Sequence, residues 1–202
     1  ITDELIQVMK EEPKICHYLD LPIQHANDTI LKRMGRRTSK QELIDIVQKL
    51  RKEIPDICLR TTLITGFPGE TQEQHEEVME FIDTLEFDRL GAFTYSPEED
   101  TPAATFEDQI DEEVKEDRQA DIMELQQEIA FDKAEDMIGR EVLVMIEGKV
   151  ADENAYVGRT YRDAPNVDGL IFINTDLDLM SGDFVRAKVT GALEYDLIGE
   201  LM

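Results

Sequence analysis

The chain has 202 residues, and 46 acids against 21 bases give it a formal charge of −25. Such a length fits one ordinary domain or two small ones, and a hydrophobic share of 41 % excludes wholesale disorder. No apolar run reaches the roughly 18 residues of a membrane span, the opening ITDELIQVMKEE is not a signal peptide, and the acidity disfavours phosphate backbones and anionic membrane surfaces as partners.

The chain begins without Met inside a helical pattern, so a piece of a longer protein is expected. Cys16 and Cys58 are too far apart for a metal knuckle and too few for a disulfide framework. Both are expected as buried strand thiols in a reducing cytoplasm. Charge divides the chain in three. Residues 1–97 carry 18 acids and 12 bases, residues 98–138 carry 16 acids and 3 bases, and residues 139–202 carry 12 acids and 6 bases. More than half of the excess charge therefore lies in the middle fifth.

In chain order, ICHYLDLPI (15–23) suits a buried strand. Asn27 can cap a short helix that ends at Met34, with Gly35 as its left-handed stop and Lys32, Arg33 and Arg36 near its negative end. Ser39 with Glu42 forms a capping box, and Leu43, Ile46, Val47 and Leu50 give the helix its apolar face. ICLRTTLIT (57–65) is the next strand and GFPGE (66–70) a turn. Thr71 with Gln74 opens a second capped helix lined by Val78, Phe81, Ile82 and Leu85, and residues 90–95 form a third strand. Strand–helix–strand–helix–strand implies parallel strands joined by crossovers, too few to close a barrel. Residues 107–138 read as a helical segment with Ile110, Val114, Ile122, Leu125 and Ile129 inward and acids outward. Beyond Gly139, five short strands at 141–146, 155–159, 170–173, 184–190 and 197–201 predict a small antiparallel barrel of the oligonucleotide-binding kind.

Four places invite a ligand. GFPGE leaves bare backbone at the carboxyl end of a parallel strand, where α/β folds bind ligands; it reads equally as an ordinary turn. Arg60 could fork onto a ligand carboxylate or form a salt bridge within the sheet. Gln24 and His25 end the first strand, and a histidine there is more often a structural hydrogen-bonder than a base. The bases at 32, 33, 36 and 37 could hold phosphate, although helix-end compensation accounts for most of them. His17 reads as structural, His75 as solvent-facing, and the acidic helix as a solvated face.

YLDLPIQHA (18–26), ILKRMGR (30–36), LITGFPGET (63–71) and YSPEEDTPAA (95–104) occur in that order. Together they resemble the second half of the radical S-adenosylmethionine barrel of the methylthiotransferases. GRTYRDAPNVDG (158–169) resembles the TRAM barrel that ends those enzymes. MGR, YSPEE and YRDAP with VDG are similar to the branch that modifies a ribosomal protein; the tRNA-modifying branch and a non-catalytic partner-docking module are the alternatives. Asp100 stands where relatives carry glycine.

The resemblance implies three regions: half a radical S-adenosylmethionine barrel (1–106), an acidic connector (107–138) and a five-stranded antiparallel TRAM domain (139–202). It implies a transferase using S-adenosylmethionine and two four-iron four-sulfur clusters. A radical taken from S-adenosylmethionine would remove hydrogen from the β-carbon of an aspartate on a basic small-subunit ribosomal protein, and a methylated sulfur would then be added there. The cluster motif CxxxCxxC is absent here, so the ligands are expected upstream and this polypeptide alone is expected to be inert. Gln24, Arg60, Gly66, Phe67 and Tyr95 are the candidates for lining the S-adenosylmethionine site, with Arg60 toward the methionyl carboxylate. Arg159, Tyr161, Arg162 and Asp163 are the candidates for docking the substrate protein.

Overall fold

The computed structural model describes residues 1–151 and 153–202. Two compact units divide the chain. One holds residues 1–11 and 19–129, the other residues 12–18 and 130–202. The expected connector, 107–138, is thus shared between them.

The first unit contains α1 (Asp3–Glu11), all but the first residue of β1 (Tyr18–Asp20), α2 (Asp28–Arg33), α3 (Lys40–Glu53), β2 (Cys58–Thr65), α4 (Gln72–Leu85), β3 (Arg89–Thr94) and most of α5 (Glu112–Glu135). Helices α2, α3 and α4 begin where the local chemistry supplies a partner for orphan backbone donors. The Asn27 side chain accepts from the amides of Thr29 and Ile30, and both expected capping boxes form, Ser39 with Glu42 and Thr71 with Gln74. The strands lie in the order β1-β2-β3, with β2 and β3 parallel and Arg60 beside Arg89 in register. Leu59 and Leu63 of β2 and Leu90 and Ala92 of β3 join one core with residues of all five helices. The alternate residues, Arg60, Thr62 and Ile64, and Phe93 on β3, face the other way and keep accessible surface. This is a partial parallel barrel, with helices on one face and an open face opposite.

The outer edge of β3 is closed in an unexpected way. Val114, assigned by periodicity to the inner face of α5, is exposed, whereas Lys115, Arg118 and Gln126 are buried. The inner face is partly polar because it meets carbonyls rather than side chains. Gln126 donates to Phe87 O at 2.9 Å, Gln119 to Ala92 O at 2.6 Å and Lys115 to Tyr95 O at 2.9 Å. Two other expectations fail. His75 is 2 % exposed, not solvent-facing, because α5 brings Asp121 to 3.1 Å from its Nε2. Cys16 is an exposed thiol ahead of β1, and only Cys58 is buried in a strand.

The second unit closes a barrel from β4 (Glu141–Lys149), β5 (Ala155–Arg159), β6 (Ile171–Asn174), β7 (Phe184–Leu193) and β8 (Asp196–Leu201) in the order β4-β5-β6-β8-β7. Val142, Val144, Ile146, Ile171, Ile173, Ala187 and Val189 alternate inward to fill it. The barrel is mixed rather than wholly antiparallel, with β6 and β8 running parallel. An odd number of strands cannot alternate in direction around a closed ring, so one parallel pair is unavoidable.

Candidate functional site

The carboxyl ends of the strands gather Gln24, Gly66, Phe67 and Tyr95. Gln24 continues from β1 and bridges Leu63 of β2. Its φ of 68° lies in the left-handed region that non-glycine residues avoid. The position is over-determined. Its amide donates to Thr62 O, its carbonyl accepts from Ile64 N, and its side-chain oxygen accepts from Arg36 Nε at 2.9 Å. Arg36 also donates to Pro22 O.

β2 ends at Thr65, and Gly66 turns the chain at a φ of 67°. A side chain there would fall on the stem of Lys115, so the expected bare backbone is covered on that side. Phe67 enters a small cluster with Ile30 and Tyr95. The Phe67 and Tyr95 rings lie edge to face at 5.2 Å, and Phe106 stands 6.3 Å from Phe67. The Tyr95 Oη is buried and makes no hydrogen bond among the described residues. A buried hydroxyl without a partner costs about 1–3 kcal/mol, and at a strand end this marks a group able to meet a polar ligand atom.

Behind these residues lies Glu70, 4 % exposed. Its Oε2 accepts from Gly66 N at 3.0 Å, and its Oε1 accepts from Arg118 at 2.8 Å. His25 Nδ1 accepts from the Asn27 amide at 2.9 Å, which leaves the proton on Nε2, 3.3 Å from Glu70 Oε2. The turn is held from outside as well. Gly69 N donates to Asp108 O, and Arg33 grips the Asp108 carboxylate with two bonds of 2.8 Å. Those bonds hold the Asp108 carboxyl below the ordinary carboxylate range and raise Arg33. Burial pushes Glu77 up, but hydrogen bonds from Asn27 and Lys40 outweigh it and leave that carboxyl low.

Arg60 is not gathered with the others. It is the third of eight residues in β2, on the open face, and its Nη1 donates to Asp20 at 2.7 Å. Rising about 3.3 Å per residue, the strand places it several residues short of Gly66, so the salt-bridge alternative describes it. Of the basic cluster, Arg33 and Arg36 are engaged internally. Nothing in the sequence singles out Asp108, whereas Lys115 and Arg118 carry a signal. They are two of the three bases in the most acidic fifth of the chain, and standing three apart they share a helix face.

In the second unit, Asp163 shapes the loop between β5 and β6. Its Oδ2 accepts from the Thr160 amide at 3.1 Å and hydroxyl at 2.7 Å, and Arg159 bonds Asp163 O and Glu147. Arg162 and Asp163 are buried, while Arg159 and Tyr161 keep some surface. Tyr156 is buried, with Leu179 N donating to its Oη. Among the described residues no three His, Cys, Asp or Glu side chains converge as a metal site. Cys16 and Cys58, one exposed and one buried within β2, do not fit a cluster.

Residues 1–82 match the Radical SAM superfamily and residues 138–202 the TRAM domain family. A protein of Lachnoclostridium phytofermentans, "Ribosomal protein uS12 methylthiotransferase RimO", is 63 % identical over 199 residues, 98 % of this chain. Its namesake in Desulfitobacterium hafniense is 51 % identical over 201 residues. The chain spans 45 % of the length of each. In fold, 69 % of the chain superposes on 32 % of coproporphyrinogen III oxidase (HemN) of Escherichia coli, a radical SAM enzyme, with a TM-score of 0.52 at 19 % identity. The partial parallel barrel thus carries part of a Radical SAM domain and the closed five-stranded barrel is a TRAM domain, and over 98 % of its length the chain is similar to the methylthiotransferase of Lachnoclostridium phytofermentans.

Proposed function

We propose that this chain is the S-adenosylmethionine-facing half barrel and the TRAM domain of a methylthiotransferase that modifies an aspartate β-carbon on ribosomal protein uS12 in the cytoplasm. The reading rests on one observation above others, 63 % identity to a protein of that name across 98 % of the chain. When bound, S-adenosylmethionine with reduced iron–sulfur clusters supplies the hydrogen-abstracting radical and the methyl group. The cluster ligands must come from outside these residues, since the two cysteines present do not fit one.

The chain's own contribution is binding, orientation and exclusion of water. The Gln24 side-chain NH2, the backbone at Gly66–Phe67 and the Tyr95 hydroxyl would hold S-adenosylmethionine at the strand ends. The unpartnered Tyr95 Oη suits a polar atom of that ligand. Phe67 and Tyr95, both buried, pack with Phe106 in an aromatic cluster that backs the strand ends and keeps water out. Arg60, bonded to Asp20, is left out of this set. No side chain is assigned as a general base, because hydrogen-atom abstraction requires none. The TRAM domain would dock the substrate through the accessible Arg159 and Tyr161, with Arg162 and Asp163 shaping the loop beneath them. A tRNA substrate is the weaker reading, because a chain of net charge −25 is repelled by a polyanion.

The test uses the full polypeptide that the gene encodes, reconstituted without oxygen and supplied with a low-potential reductant, S-adenosylmethionine, a sulfur source and either uS12 or tRNA. Mass spectrometry should find one methylthio group on a single uS12 aspartate; modification of tRNA alone would overturn the assignment.

A further inference from the structure

The half barrel presents its ligand-facing groups on two separate strand ends, and one buried carboxylate joins them. Glu70 accepts from the Gly66 amide, which fixes the turn after β2, and lies against the Nε2–H of His25, which directly follows Gln24. Its other oxygen is held by Arg118 of α5, which also donates to Glu70 O at 3.1 Å. The side chain is 2 % exposed. Both Gln24 and Gly66 sit in the left-handed region, at φ 68° and 67°. The two strand ends are thus coupled to a single acceptor.

We infer that Glu70 is the positioning residue of the S-adenosylmethionine site, setting the spacing between the Gln24 and Gly66–Phe67 ends. The inference rests on the functional reading given above. Glu70 touches no ligand in this scheme and acts through Gly66 and His25. Three donors converge on it, from Gly66, His25 and Arg118, and only a carboxylate accepts from all three. A glutamine has the same shape but turns one acceptor into a donor, so at least one of the three contacts must break.

The structure also supplies the control. Asp88 is a second buried carboxylate tied to β2. It accepts from Leu59 N at 2.9 Å, at the amino end of the strand and away from the proposed site. Glu70→Gln and Asp88→Asn each leave buried donors facing an amide, so both should lower the thermal midpoint. Only Glu70→Gln should displace the ligand-facing ends.

The experiment measures S-adenosylmethionine dissociation constants by calorimetry, together with melting curves, for the full encoded polypeptide and both variants. Glu70→Gln should weaken binding by about ten- to hundredfold, the range for loss of a charge-assisted hydrogen bond, while Asp88→Asn leaves it within about twofold. Equal binding by Glu70→Gln and the parent overturns the inference, as does equal weakening by both variants, which would mark general loss of structure. If Glu70→Gln does not fold, His25→Gln carries the test: weaker binding supports the inference and unchanged binding overturns it. A parent protein that binds no S-adenosylmethionine defeats the functional reading instead, and the two failures are thereby separated.

Discussion

Gly66 and Gly35 share a positive φ but not a neighbourhood. At Gly66 an added Cβ meets the Lys115 stem, whereas at Gly35 nothing lies within 4 Å. Gly35→Ala therefore carries only the left-handed penalty of about 1–2 kcal/mol, and Gly66→Ala adds overpacking, for a total of about 2–5 kcal/mol. Chemical denaturation of the two variants should separate them; equal losses would show that Lys115 moves aside freely. At Asp108 the prediction concerns pH. The bonds from Arg33 lower its carboxyl in the folded chain. A depressed acid contributes stability that is complete above its unfolded value of about 4 and fades as pH falls through the folded value. The melting difference between the parent and Asp108→Asn should thus be largest near neutrality and shrink in acid below about pH 4. A difference independent of pH would place the effect of Asp108 elsewhere. Residues of this kind were poorly legible in the sequence. GFPGE marked the turn, but the φ of Gln24 and the burial of His75 depend on partners tens of positions away.

Helices and strands were more legible because their signals are local. Asn27, Ser39 and Thr71 begin their helices as expected, since each satisfies amides two or three positions ahead. Thr71→Ala should cost about 1 kcal/mol by loss of that cap; an unchanged melting midpoint would show that the Gln74 half suffices. The helix α5 shows where periodicity misleads. Its inner face carries Lys115, Gln119 and Gln126 because a strand edge needs donors, so the apolar pattern pointed to Val114 instead. Gln119→Ala should leave Ala92 O unpaired and destabilise the first unit by about 1–3 kcal/mol. Hydrogen exchange should locate the loosening along β3; protection unchanged there would mean that water replaces the amide.

At the scale of the whole chain, charge predicts behaviour that no single contact does. A surface of −25 attracts basic partners over a Debye length of about 8–10 Å and repels polyanions. Titrating the chain with uS12 across a salt series should give binding that weakens as salt rises; preferential binding of tRNA would contradict the docking proposal. Iron taken up by this chain in anaerobic reconstitution, at the level of a thiolate-held cluster, would equally contradict the cysteine argument. The order of the elements and the change from α/β to all-β at Gly139 were plain in the sequence. The division of the α5 helix between two units was not, because nothing in its composition changes at residue 130.

The parallel pairing of β6 with β8 has a consequence for synthesis. Strands β4 to β7 leave the ribosome before β8, yet β8 lies between β6 and β7 and pairs with both. Until it is made, the growing chain holds two unpaired edges of the kind that invite aggregation. The half barrel can begin to fold during translation, whereas the carboxyl-terminal unit must wait for its fifth strand. A premature stop just before Asp196 would therefore be more damaging than its six lost strand residues imply, removing a keystone rather than a tail.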